Sequence, residues 1–401
     1  MKFSQLSTAL AFIALLGLIA GAIWIASLVF QTSSQEGGEI SRGFSALFPF
    51  GQDTPPSAPG GPQGEPGGEQ FAKVRKVTDA PIASATWVVE NGVTQLRYIE
   101  RETGHVYDAA VDAPTLTRRT NTTVPAVMDA LWLSSTTTLM RVYEDPDTIR
   151  TILGTLGTTT ATDAVLATGE FGEFASLATS NGKIVAVRTT AQGVDVELFS
   201  GARAAPRMLI RSPLVSWVPQ IGGSFVYLAS APSGSAPGSA YVVTPNGLSR
   251  VLGPLAGLEI APNDSGTRLL ASIGGVNRIA LGVVTSVDTF IELPLSTIAQ
   301  KCAWVPRSQT LVICAVPKTL PEGLYPDAWA LGAIETSDAL WVIDVETGTT
   351  TELLDPEAEG IESVDAYRLV VDPALSALAF INRTDSSLWM LRLPSLQSAV
   401  E

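Results

Sequence analysis

Between Ile82 and Asn382 the chain repeats one phrase seven times: an apolar or Trp-ended run, a turn, and a second run of β-type residues. The first runs end at Trp87, Trp132, Leu177, Trp217, Ile260, Trp304 and Val371, each followed by a turn containing Gly, Ser or Pro. One such hairpin cannot bury its own apolar face, so the copies must pack on one another. A period of roughly 40 to 45 residues with about four short strands in each copy is the signature of radially arranged blades. The cadence therefore predicts an all-β chain, a seven-bladed β-propeller of four-stranded blades spanning residues 72–394.

Turn chemistry supports the hairpins. Asn91-Gly92 joins Ile82–Val88 to Thr94–Ile99, and Asn181-Gly182 joins Phe174–Thr179 to Ile184–Arg188; these dipeptides supply the positive φ that tight hairpins need. Gly222-Gly223 and Asp264-Ser265-Gly266 serve units four and five. A second hairpin is plainest at Leu340–Val345, Glu346-Thr347-Gly348 and Thr349–Leu354. The seventh unit has no credible fourth strand after Leu388–Leu393, while Ala72–Thr78 precedes the first unit with no partner of its own. An unpaired edge exposes donors and acceptors, so Ala72–Thr78 is expected to close the ring as the outer strand of the seventh blade.

Trp217-Val218-Pro219, Ile260-Ala261-Pro262 and Trp304-Val305-Pro306, each before a turn and an apolar strand, resemble the Trp-Ser-Pro-Asp-Gly pattern of TolB-like, WD40-like (PD40-type) propeller repeats. The resemblance covers Ala72–Pro394 and implies a fold; these three units lack the Asp-Gly, and no Trp-Asp dipeptide of true WD40 repeats occurs. Leu324-Tyr325-Pro326-Asp327-Ala328-Trp329, followed by Leu340-Trp341-Val342-Ile343-Asp344, also resembles membrane-anchored propellers of small-genome bacteria, which implies a location and no activity.

Residues 9–30 carry no charge, and about 22 residues at 1.5 Å each reach roughly 33 Å, enough for a bilayer core of about 30 Å. The run is longer than a signal-peptide core, and its small residues lie mid-span, so an uncleaved transmembrane anchor at 9–30 is expected. Lys2 precedes the span and Glu36 and Glu39 follow it, which keeps a tip of residues 1–8 cytoplasmic and places the propeller outside. Gly17 and Gly21 form a GxxxG pair suited to weak self-association. Residues 31–71 are rich in Pro, Gly, Ser and Gln and predict a disordered, flexible linker, with Phe44, Phe48 and Phe50 the only aromatic cluster at its start. Residues 395–401 form a short tail.

With 25 basic and 39 acidic side chains the net charge is −14. Such a chain repels phosphate backbones, so no nucleic-acid partner is expected. His105 is the only histidine, which removes most triads and zinc sets at once. No catalytic residue, metal site or cofactor is predicted. Cys302 and Cys314 stand opposite each other if the hairpin closes over Arg307-Ser308-Gln309; a disulfide is one reading, two buried thiols another, a metal or redox site a third. Sequons at Asn121, Asn263 and Asn382 are as frequent as chance gives at this length. The Trp residues ending the first runs read as packing between blades rather than a stacking surface.

The interval from Trp304 to Val371 exceeds its neighbours by about 24 residues, the excess lying at Pro317–Asp338. This loop shares a face with the connections between blades, and insertions on a rigid scaffold often carry function. Tyr325, Asp327, Trp329 and Glu335 are the candidate ligand or partner residues, unless the two aromatics fold back and close the loop's own small core. The expected function is a membrane-anchored, extracytoplasmic, non-catalytic module binding a protein or glycan. The alternative is a hydrolase or lyase acting on cell-surface polymer through carboxylates of the central funnel, to be recognised by two buried carboxylates about 5 to 9 Å apart.

Overall fold

The computed structural model describes residues 73–145, 148–157 and 165–394. The expected anchor at 9–30, with Gly17 and Gly21, the linker at 31–71 and the tail at 395–401 lie outside the described residues. Among the described residues no helix is long and apolar enough to cross a membrane.

Seven four-stranded antiparallel sheets make up the fold, numbered here as blades 1 to 7 in chain order. Their inner strands are Ile82–Glu90, Val127–Trp132, Ser176–Ser180, Trp217–Gly222, Glu259–Pro262, Cys302–Trp304 and Ala366–Val371. Six blades are built from consecutive strands; in blade 7 the outer position belongs to Val74–Thr78, which pairs antiparallel with Leu388–Arg392 and sets Val74 opposite Leu391.

The second strand of each blade lies between its neighbours in the sheet, and both its faces meet other blades. That is why the sequence there reads as an unbroken apolar run rather than an alternation. Leu311–Ala315 and Ala377–Asn382 are buried at every residue. The apolar core is accordingly divided into seven seams, one between each pair of adjacent blades, including the seam between blades 7 and 1 that gathers Val77, Ile82, Leu96, Ile381 and Leu388. Trp87 Nε1 donates to the Val370 carbonyl of blade 7 at 2.9 Å, and Trp304 Nε1 to the Ala261 carbonyl of blade 5 at 3.0 Å, so these indoles tie one inner strand to the one before it. The hairpin turn at Asn91 and Gly92 has φ of 52° and 78°, the left-handed pair that its sequence calls for.

Cys302 and Cys314 are register partners across the first hairpin of blade 6 and form a disulfide with Cα atoms 4.1 Å apart. Two of the three sequons are interior: Asn263 is 1 % exposed and donates to Gln309, and Asn382 is 7 % exposed and accepts from the Asp365 amide, so neither presents an amide for glycosylation.

Candidate functional site

Residues 318–337 connect the second and third strands of blade 6, on the face that carries the links between blades. They form a strap. Gly323 exchanges two 2.7 Å hydrogen bonds with Asn277 of blade 5. Tyr325 N donates to the Gly275 carbonyl at 2.9 Å. Glycine is required beneath it: a Cβ on Gly234 or Gly274 would collide with the Tyr325 carbonyl oxygen. Beyond the one-turn helix Asp327–Ala330 the strap reaches blade 7, where Arg383 donates to the Ala330 carbonyl at 3.1 Å.

The four candidate residues of this segment separate by environment. Tyr325 and Trp329 are 1 % and 4 % exposed and pack with Ile279, Ile298 and Ile334. They close the strap's own core, and Tyr325 has no surface to offer a ligand, since its hydroxyl donates to the Pro321 carbonyl at 2.7 Å. Trp329 keeps one edge on a neighbouring pocket, described below. Asp327 is used for anchoring: it accepts from the Gly234 amide at 2.6 Å and the Ser233 hydroxyl at 3.1 Å in blade 4. Glu335 is exposed.

Under the strap lies a buried ionic cluster that no local sequence pattern announced. Lys301 Nζ is 2.6 Å from Asp338 and 2.7 Å from Asp365, and all three side chains are at most 2 % exposed. Asp365 also accepts from Trp329 Nε1 at 3.0 Å, while Asp338 accepts from the Ala366 amide at 2.8 Å. Burial pushes the Asp338 carboxyl up, and the attraction of Lys301 does not fully offset it. The cluster joins the strap to blades 6 and 7, an architectural use of charge in which each partner depends on the others.

The central channel widens, at the same face, into a cavity of about 510 Å³. Six of the seven inner strands line it, and blade 6 contributes Gln300 from the short 3₁₀ turn Ala299–Lys301. Its walls alternate apolar residues such as Leu177, Val218 and Ile260 with Thr179, Gln220 and Ser230. Two carboxylates face it. Glu259 is 6 % exposed; burial pushes its carboxyl up to about 7, against the opposing effect of Gln300, which donates at 2.7 Å, and Ser272. Asp129 pairs with Arg368 at 2.6 Å and with Arg141 at 3.9 Å.

Arg368 reaches that position because its strand is bulged: the register slips between Tyr367 and Val370, and Arg368 has φ of 50°, uncommon for a residue with a Cβ. The bulge turns its guanidinium inward, where it also donates to the Ala83 carbonyl at 2.7 Å. Burial disfavours its charge, and Asp129 more than compensates, so its pKa lies above the ordinary value. Of the two carboxylates only Glu259 is both buried and free of a cationic partner among the contacts described. Among the described residues no group of three or more His, Cys, Asp or Glu side chains is placed to hold a metal ion. His105 lies away from the cavity, with its ring 3.3 Å from the Thr123 hydroxyl and its pKa lowered by burial and by Arg118.

The break in the sequence cadence points to the strap and not to the cavity residues Asp129, Glu259, Gln300 and Arg368. The available signal was thin: a Glu placed between Leu258 and Ile260 in an otherwise apolar inner strand.

No protein-family model and no curated protein matches the chain. Solved structures do. An oligogalacturonate lyase from Vibrio parahaemolyticus is 8 % identical, covers 82 % of this chain and 95 % of its own, and has a TM-score of 0.51. TolB from Acinetobacter baumannii is 9 % identical over 67 % of this chain and 62 % of its own, with a TM-score of 0.41. The WD40 domain of Pan2 from Neurospora crassa is 8 % identical over 79 % and 90 %, with a TM-score of 0.48. At such identities the likeness concerns the fold alone, and it is the chain's own seven four-stranded sheets that make it a seven-bladed propeller.

Proposed function

We propose that this propeller is the binding part of a membrane-anchored, extracytoplasmic, non-catalytic module, and that its partner is a protein engaged through a peptide segment at the cavity. The observation that carries the reading is the lining of the 510 Å³ cavity, a volume suited to a few residues of an extended chain. Gln220, Gln300, Thr179 and Ser230 match the donors and acceptors of peptide groups, and the apolar walls between them suit side chains. Among the described residues no aromatic ring lines the cavity. A sugar ring, whose C–H faces favour an aromatic platform, finds none there, and the protein reading is preferred to the glycan one.

The rival reading, a polymer hydrolase or lyase, draws on Glu259, whose carboxyl at about 7 suits proton transfer. It needs a second available carboxylate, and Asp129 is held by Arg368. The address rests on the apolar run at 9–30 and is supported by the Cys302–Cys314 disulfide, a bond that persists outside the cytoplasm. Kinship with PD40-type repeats and with anchored propellers of small-genome bacteria belongs to the same reading.

A photo-crosslinking amino acid placed at Gln220 of the intact chain in its native cells tests it. A protein adduct mapping to one short segment, and absent when the probe sits at an outer-strand position, is the expected result. Adducts to polysaccharide alone would overturn the reading.

A further inference from the structure

Beside the cavity, sharing Gln300 and Arg368 with it, is a second pocket of about 340 Å³ whose remaining lining is Trp329, Ala330, Tyr367 and Arg383. In a chain with a net charge of −14, this pocket carries two guanidinium groups and no carboxylate among its lining residues. Both cations are held in place. Arg383 stacks over Trp329 with 4.7 Å to the ring centre and gives one terminal nitrogen to the Ala330 carbonyl. Arg368 lies 5.7 Å from the centre of the Tyr367 ring, and its contacts to Asp129 and the Ala83 carbonyl use one terminal nitrogen as well. A guanidinium has five N–H groups, so each arginine keeps donors beyond those contacts. Stacking fixes the plane of the fork in advance, which reduces the ordering cost of receiving a planar anion.

We infer that Arg368 and Arg383 form a carboxylate subsite, and that the peptide entering the cavity is acidic, with one carboxylate seated between these arginines. The inference rests on the peptide reading of the adjoining cavity and names the chemistry of its ligand. A carboxylate fits better than a phosphate because Gln300, at the join of the two pockets, holds the Glu259 carboxyl at 2.7 Å, and a dianion brought there would meet a second acid. Two sources supply the group within a peptide: an Asp or Glu side chain, or the terminal carboxylate.

The test is affinity selection by the intact chain, in detergent micelles, from random octapeptides prepared with and without Asp and Glu, and with free or amidated carboxy-termini. The expected result is that peptides bearing a carboxylate bind about tenfold more tightly than those bearing none, with the advantage falling as salt is raised. Arg383→Gln is expected to remove that advantage while leaving the binding of uncharged octapeptides as it was, which also shows that the variant is folded. Arg383→Lys keeps the charge and loses the fork, and should restore only part. Loss of the advantage on amidation assigns the subsite to a chain terminus; its survival assigns it to a side chain. Equal binding of acidic and neutral octapeptides, or indifference to Arg383→Gln while octapeptides still bind, overturns the subsite and spares the peptide reading. If no octapeptide binds, both fall.

Discussion

Two pieces of the molecule fall out of step with the sevenfold cadence, and they are fastened in opposite ways. Val74–Thr78 is attached by a generic device, a main-chain ladder to Leu388–Arg392 with Val74 and Val77 turned into apolar seams. The strap at 318–337 adds to its few main-chain bonds with blade 5 a set of particular side chains: a buried Lys301–Asp338–Asp365 cluster toward one end and Asp327 on blade 4 nearer its middle. A ladder tolerates many sequences that alternate correctly. An ionic cluster tolerates few, because removing one member leaves the others buried and uncompensated.

The largest effect expected from this contrast is at Lys301. Lys301→Met should lower stability by about 3–5 kcal/mol in denaturant unfolding, since two carboxylates then share a dry site. A loss below about 1 kcal/mol would mean that the strap is held by its apolar core and that the contrast is false. On the other side, Leu391→Ala removes the residue opposite Val74 and should cost about 2–4 kcal/mol. If it exceeds Lys301→Met, the packing of the closing strand against blade 6, rather than the cluster, is the more sensitive attachment.

A pH series sharpens the same division. Glu259, bonded to Gln300 at the root of blade 6, has a folded pKa near 7 against an ordinary value of 4.5. Between those two values the folded form holds a proton that the unfolded chain has lost, so stability falls as pH rises across that window and levels off above about 7; the full drop is on the order of 3 kcal/mol. Glu259→Gln should flatten the slope and be more stable than the parent at pH 8, whereas Leu391→Ala should keep the slope. The smallest effect is at Asp327. Asp327→Asn weakens one clamp by about 1 kcal/mol, visible as faster proteolysis within 318–337 and little change in global unfolding.

The same contrast explains what the sequence made legible. Asn91-Gly92 announces its hairpin because positive φ is a local demand, and an unpartnered strand before the first unit can be matched to a missing strand in the last by counting. The strap could be located by length, and its aromatics could be weighed as core or surface, but not its destinations. The Glu259–Gln300 bond spans 41 residues, and Arg368 meets Asp129 from the opposite side of the closing seam. Arg368 points inward only because of a bulge, and nothing in Tyr367-Arg368-Leu369-Val370 spells that register slip. Such contacts are set by where the ring brings distant strands together, so their residues look ordinary until the ring is closed.

Closure by Val74–Thr78 also has a consequence in time. This strand is made before every blade, yet Leu391, the partner of Val74, follows it by roughly 300 residues, about 15–60 s of synthesis at 5–20 residues per second. Once the first blade is made, its flank toward blade 7 has nothing to cover it for the rest of that interval, and a strand waits with its amides and carbonyls bare. For a chain of this design the dangerous period is the long wait before the last hairpin, and protection of the nascent ring matters most at its beginning.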